Sequence, residues 1–268
     1  MPQSITVVDA FTDRPFAGNP AAVCILKNPA GEAWMKNVAR EMNLSETAFL
    51  HPLGEPGLFA LRWLTPSVEV DLCGHATLGA AHVLWEQGHL ARGHTARFST
   101  RSGILSAQQN EAEIELDFPA LSTTEIEMPA GLENHLGARI VFVGSTKMDI
   151  LVELENEDAV RGLKPNFAGL SQVPARGVIV TSRATTAGYD FVSRFFAPQS
   201  GIDEDPVTGS AHCALAVFWG DRLNQSEMMG YQASSRGGHV RVRRERDRVK
   251  LGGRAVTTLR GELQIEPE

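Results

Sequence analysis

An α+β fold built twice is what this sequence predicts: two similar domains, each a mostly antiparallel, curled, barrel-like sheet around a central buried helix. Three observations predict it. Short β-branched or alternating runs, punctuated by Gly, Pro and Asn, recur along the chain as antiparallel strands require. Two stretches, 75–87 and 210–223, are apolar nearly all round at helical spacing, so each must be enclosed. The approaches to those helices also repeat. Arg62-Trp63-Leu64-Thr65-Pro66 parallels Arg194-Phe195-Phe196-Ala197-Pro198, and each leads through an acidic loop to a glycine that opens the helix. The offset is 132 residues at the prolines (66 and 198) and 135 at the glycines (74 and 209), making the second loop three residues longer.

The elements follow in order. Residues 4–10 alternate weakly and are β-branched, as a strand is; 21–26 is a short apolar run and its partner, and Pro, Gly and Asn between them mark a loop. Residues 32–42 place Trp34, Met35, Val38, Ala39 and Met42 near helical spacing, predicting an amphipathic helix. Strands are predicted at 47–50 and 59–64. In the helix at 75–87, Ala76, Gly79, Ala80 and Ala81 let neighbours approach closely, and Gly88 stops it. Residues 96–118 alternate as a half-buried antiparallel hairpin. The polar connector 119–127 divides the chain into domains 1–118 and 119–268. Strands are predicted again at 139–143, 149–154, 177–181 and 189–196, then the helix at 210–223, then a hairpin from 240–244 and 249–251.

Composition excludes several classes. The chain has 268 residues, 43% of them apolar, too many for a disordered chain. Its net charge of −7 makes it a poor nucleic-acid binder. The basic residues at 236–254 would be split over hairpin faces and a solvated turn. No apolar run is long enough to cross a bilayer. The start of the sequence reads as a strand rather than a secretory signal. Cys24, Cys73 and Cys213 are too few and odd in number for a disulfide framework, so reduced thiols and a cytoplasmic location are expected.

Three segments could carry chemistry. Glu46 falls between a helix and a strand, where a solvated or capping carboxylate is the plain alternative. Residues 69–77 place Gly74 and His75 at a helix start, whose free N–H groups favour an anion. His75 there could be a general acid, a hydrogen-bond donor or a simple first-turn residue. Residues 203–213 form a second such start with Asp205, Gly209 and Ser210, or merely a capping loop served by Thr208 or Ser210.

Together, 8–23 (VDAFTDRPFAGNPAAV), 43–50 (NLSETAFL), 62–81 (RWLTPSVEVDLCGHATLGAA) and 203–213 (DEDPVTGSAHC) resemble the PhzF-like proteins, named after the phenazine biosynthesis isomerase, over nearly the whole chain. The resemblance implies the diaminopimelate epimerase-like fold, in which the last strand returns to the first half. It implies Glu46 as the acid/base that moves a proton, and His75 and Asp205 as residues that hold the substrate. Gly74, Gly209 and Ser210 match positions at the helix starts that bind its carboxylate and polar groups. Asn19 matches a loop lining the interdomain cleft. A homodimer is also implied.

The related epimerases use two cysteines. Cys73 falls where the first would sit, but Thr208 falls at the second, and a hydroxyl is a far weaker acid or base than a thiol. The expectation is therefore a cofactor-independent isomerase for a small anionic metabolite, without cofactor or metal. No phosphate-binding loop, dinucleotide fingerprint or HExxH pair occurs. A carboxyl serves as acid and base if a dry cleft raises its pKa toward neutrality, and preorganised donors then stabilise developing charge. Two alternatives stay open: a racemase or epimerase using Cys73, and a non-catalytic metabolite-binding or interaction protein on the same fold.

Overall fold

The computed structural model describes residues 2–267. In chain order, β1 (Gln3–Ala10) and β2 (Asn19–Ile25) precede α1 (Glu32–Met42), β3 (Glu46–Pro52), β4 (Leu58–Leu64) and the short β5 (Glu69–Val70). Then come α2 (Gly74–Glu86), β6 (Ala96–Thr100), β7 (Gly103–Asn110), β8 (Glu113–Pro119) and the short β9 (Thr124–Glu125). The chain continues through α3 (Leu132–Leu136), β10 (Ile140–Ser145), β11 (Ile150–Leu154), α4 (Glu157–Arg161), α5 (Phe167–Leu170), β12 (Val178–Arg183) and β13 (Phe191–Phe196). It ends with α6 (Gly209–Leu223), β14 (Glu227–Gln232), β15 (Gly238–Glu245), β16 (Arg248–Gly253) and β17 (Ala255–Leu263). Two compact units result: the first runs to Asp117 and resumes at Gly252, and the second is Phe118–Leu251.

In the first unit β1 pairs antiparallel with both β17 and β2. Next come β2–β3 parallel, β3–β4 antiparallel, β4–β6 parallel, and β6–β7 and β7–β8 antiparallel. In the second unit β10–β11 is antiparallel, β11–β12 parallel, β12–β13 antiparallel, β13–β14 parallel and β14–β15 antiparallel. From β1 and from β10 the sequence of pairing senses is the same. The units are thus a structural duplication, as the repeated approaches to the two helices predict.

Each sheet region is mixed: among the described residues most of its pairings are antiparallel, as predicted, and two in each unit are parallel. The cause is visible in the helices. Parallel neighbours require a crossover, and α1, α2, the α4–α5 segment and α6 each lie between the two strands of a parallel pair. The alternating stretch 96–118 is a three-stranded meander, since Arg101–Ser102 and Glu111–Ala112 turn the chain twice.

The helices follow their hydropathy. α1 buries Trp34, Met35, Val38 and Ala39 on one face and ends at Asn43 in the left-handed region (φ 49°). Trp34 meets Phe49 of β3 edge to face at 5.9 Å. α2 is buried from Gly74 to Ala81 and again at 83–85, and it packs on β1, β2, β3, β7 and β17. α6 is buried on almost all sides and packs on β14 and β15. A separate apolar cluster in the second unit gathers Leu132, Leu136, Val152, Val160, Leu170, Val180 and Phe196 beneath the short helices α3–α5. No helix among the described residues is long and apolar enough to cross a membrane.

Candidate active site

In the first unit two strand starts and one helix start converge. Gly18 has φ +63°, and a Cβ there would lie 2.1 Å from the Ala10 carbonyl oxygen, so only glycine lets the chain enter β2 at this point. Asn19 follows it and is fully buried. Parallel pairing sets Glu46 beside Ala21, two residues further along β2. Cys73 is the extended N-cap of α2 (φ −144°, ψ 115°), so Gly74 and His75 occupy its first turn.

His75 lies at the centre, only 3% exposed. Its Nδ1 is 3.1 Å from Asn19 Nδ2 and 3.6 Å from Cys73 Sγ. On the opposite edge of the ring, Nε2 is 3.1 Å from Glu46 Oε2. That contact has ion-pair distance without hydrogen-bond alignment, so both atoms keep an unused hydrogen-bonding direction among the described residues. In the neutral ring the Asn19 amide donates to Nδ1 and the proton sits on Nε2, on the Glu46 side; in the imidazolium Nδ1 is itself a donor and takes the oxygen of the Asn19 amide instead.

Burial opposes charge on His75, but the coulombic influence of Cys73 and Glu46 outweighs it and lifts the imidazole well above its ordinary pKa. The Cys73 thiol is itself pushed up to about 11, by burial first and by Glu46 second. A thiol neutral near pH 7 supplies no full charge, so the Glu46 carboxylate is the partner that favours imidazolium there.

Glu46, Cys73 and His75 offer ligand atoms within 4.8 Å of one another. Cys73 approaches Nδ1 while Glu46 approaches Nε2, and a single ion takes one ring nitrogen. The same arrangement suits proton handling: a carboxylate and an imidazole in contact, with a neutral thiol beside them.

In the second unit Thr208 is the N-cap of α6, Gly209 opens it, and Ser210 follows. Asp205, 9% exposed, accepts a 2.5 Å bond from Thr208 Oγ1. Buried Gln232 ties this loop down. Its Nε2 donates to the Asp205 carbonyl (2.7 Å) and to Thr208 Oγ1 (3.2 Å), and its Oε1 accepts from the Thr208 backbone N–H (2.9 Å). Ser210 Oγ accepts from Arg176 Nη2 at 2.8 Å. The site residues read from sequence therefore fall into two groups: Asn19, Glu46, Gly74 and His75 in one unit, and Asp205, Gly209 and Ser210 in the other. Gln232 and Arg176 were not foreseen; nothing in their local sequence marks them.

The duplication reaches individual bonds. Arg62 holds Glu69 by two bonds (2.8 and 2.5 Å), and Arg194 holds Glu204 by two (2.7 and 2.9 Å), at the repeated positions. Thr77 Oγ1 donates to the Cys73 carbonyl, as His212 Nδ1 meets the Thr208 carbonyl, each four residues back.

Fold and site together define an isomerase-like enzyme, a duplicated α+β protein with a Cys/His/Glu cluster suited to acid–base proton transfer on a small metabolite. Residues 8–261 match the family model described as phenazine biosynthesis-like protein (PhzC-PhzF), and the chain belongs to that family. It is 50% identical to an uncharacterized isomerase of Halalkalibacterium halodurans over 99% of this chain and all of that one. It is 41% identical to the human phenazine biosynthesis-like domain-containing protein, over 97% of this chain and 98% of that one. A crystal structure of a PhzF-family protein from Enterococcus faecalis superimposes with a TM-score of 0.93 at 41% identity, covering 99% of this chain and all of the other. A predicted epimerase from Pseudomonas aeruginosa shares the fold at 21% identity, with a TM-score of 0.80 over 98% of this chain and 100% of the other.

Proposed function

We propose that the protein is a cofactor-independent isomerase that moves a proton within a small, carboxylate-bearing metabolite, with Glu46 as the group that takes and returns it. The supporting observation is the Glu46–His75 contact: both atoms are buried, 3.1 Å apart, and left with unused hydrogen-bonding directions. A substrate C–H presented to Glu46 Oε2 would complete that arrangement, with His75 supplying a donor for charge that develops as the proton leaves. We assign hydrogen bonding of the substrate to His75, Asn19 and Asp205, and binding of its carboxylate to the backbone N–H groups at Gly74 and Gly209 and to Ser210. The sheets are read as curled about their helices, since α2 touches β17 at one end of the pairing order and β7, next to last, at the other.

Growth of deuterium in a candidate substrate incubated in D2O tests this. Glu46→Gln keeps the shape of the side chain but cannot cycle a proton, so exchange should fall by about 10²–10⁴-fold. Unchanged exchange in that variant would remove Glu46 from the role. A racemase built on Cys73 is the weaker reading: its thiol is neutral near pH 7, and the Thr208 hydroxyl is engaged with Asp205.

A further inference from the structure

Arg176 lies on the connector before β12 and is held on three sides. Its Nε and Nη2 donate to the two oxygens of Asp149 at 2.8 and 2.6 Å, and the Asp149 side chain is fully buried. The guanidinium also lies over the Phe195 ring, 5.5 Å from its centroid. Gly177 makes that possible, because a Cβ there would sit 2.3 Å from the ring. Although 35% of the Arg176 side chain remains exposed, its orientation is thus fixed.

The remaining contact is the informative one. Arg176 Nη2 donates to Ser210 Oγ at 2.8 Å. An oxygen that accepts from a guanidinium must turn its own proton elsewhere. Neither that proton nor Arg176 Nη1 makes a hydrogen bond to another described residue, and the Arg176 side chain keeps 35% of its surface exposed. A purely structural ion pair needs neither the serine nor a spare nitrogen.

We propose that Asp149 and Arg176 form a positioning pair that aims the Ser210 hydroxyl at the carboxylate of the substrate, with the Arg176 charge selecting a carboxylate over an uncharged amide. This rests on the assignment of Ser210 to substrate binding made above. Arg176 acts through Ser210, so it is a positioning residue, and it extends the site to a connector that carries no motif.

Calorimetric titration with benzoate, and with benzamide as its uncharged counterpart, tests the pair on the full chain. Arg176→Gln and Ser210→Ala should each weaken benzoate at least about tenfold, as loss of a charge-assisted contact does. Benzamide should be unaffected. The double variant should bind benzoate no worse than the weaker single variant, because the two residues act as one unit. Arg176→Lys guards against misfolding from an unpaired Asp149: it keeps the charge, should retain the wild-type melting temperature, and should still lose several-fold in benzoate affinity. Wild-type benzoate affinity in Arg176→Lys and Arg176→Gln, or fully additive losses in the double variant, would overturn the proposal while leaving Ser210 in the site. Wild-type protein that fails to take up benzoate, or takes it up equally in Ser210→Ala, would instead remove the carboxylate-binding assignment itself.

Discussion

Cys73 shows how one side chain can sit at a site and stay chemically quiet. Burial and the nearby Glu46 carboxylate push its thiol up to about 11, and only the thiolate is a good nucleophile. Iodoacetamide near neutral pH should therefore label Cys73 far more slowly than an exposed thiol, as peptide mass spectrometry would read. Rapid labelling would reopen the thiol chemistry. His212 is the repeat's counterpart to Thr77 and is fully buried. Burial holds its pKa down to about 4, against a weaker lift from the Thr208 carbonyl. Folded protein then binds fewer protons than unfolded protein between the ordinary 6.5 and about 4, so stability should fall as pH drops through that window. The full effect is about 3 kcal/mol. Urea midpoints taken at about pH 7 and about pH 4.5 should differ less in His212→Asn, which keeps a donor for the Thr208 carbonyl but does not titrate. Glu46, His75 and Asp205 are candidates chiefly through segments of family-like sequence, with the repeat adding weight at Asp205, because position alone leaves each with an ordinary alternative. Gln232 and Arg176 were not legible, since their partners lie 24 to 34 residues away and only the folded chain makes the contacts.

The two arginine pairs turn the repeat into an experiment at the level of strands and loops. Arg194 is 11% exposed and also donates to the Leu163 carbonyl at 2.8 Å, whereas Arg62 is 33% exposed. Arg194→Ala should destabilise by about 3 kcal/mol, by stranding both Glu204 and the Leu163 carbonyl, and Arg62→Ala by markedly less, because Glu69 keeps Arg101 at 2.6 Å. Equal losses in chemical denaturation would mean that exposure does not govern these pairs. Glycines separate in the same way. At Gly79, inside α2, a Cβ would find 3.6–3.8 Å contacts with Val8, Ala21 and Val23, so Gly79→Ala should be neutral or stabilising by up to about 1 kcal/mol. Gly18→Ala should destabilise by about 1–3 kcal/mol and displace Asn19 from His75. The three long helices were legible, α1 from its one apolar face and α2 and α6 because a helix apolar on every side has to be enclosed, whereas α3, α4 and α5 are four or five residues long and too short to show a period. Parallel pairing was not, because period-two alternation says which face is buried and nothing about the neighbour's direction. β14 (EMMGYQ) also escaped notice: Gly230 interrupts its apolar pattern where the Phe191 ring packs closest.

On the scale of the whole molecule, the repeated motifs correctly pointed to a fold made twice. β17 gave no such signal, since its residues are half-buried or exposed and form no apolar run. Its contribution is instead a ladder along all of β1, from Gln3–Leu263 to Ala10–Ala255, with a bulge after Val7. Removing residues 255–268 should leave β1 with a bare edge and α2 without one of its packing partners. Hydrogen exchange should then rise in α2 and β1 while α6 stays protected; uniform loss of protection would mean that the units do not fold separately. β17 also imposes a timetable on synthesis. A nascent chain leaving the ribosome holds every strand of the second unit before it holds the strand that completes the first. The half made earliest lacks the partner strand of β1 and part of the packing of α2 until late translation delivers β17. A chain of residues 1–251, arrested behind a linker long enough to clear the exit tunnel, should accordingly show a protease-resistant 118–251 fragment and a digestible N-terminal half.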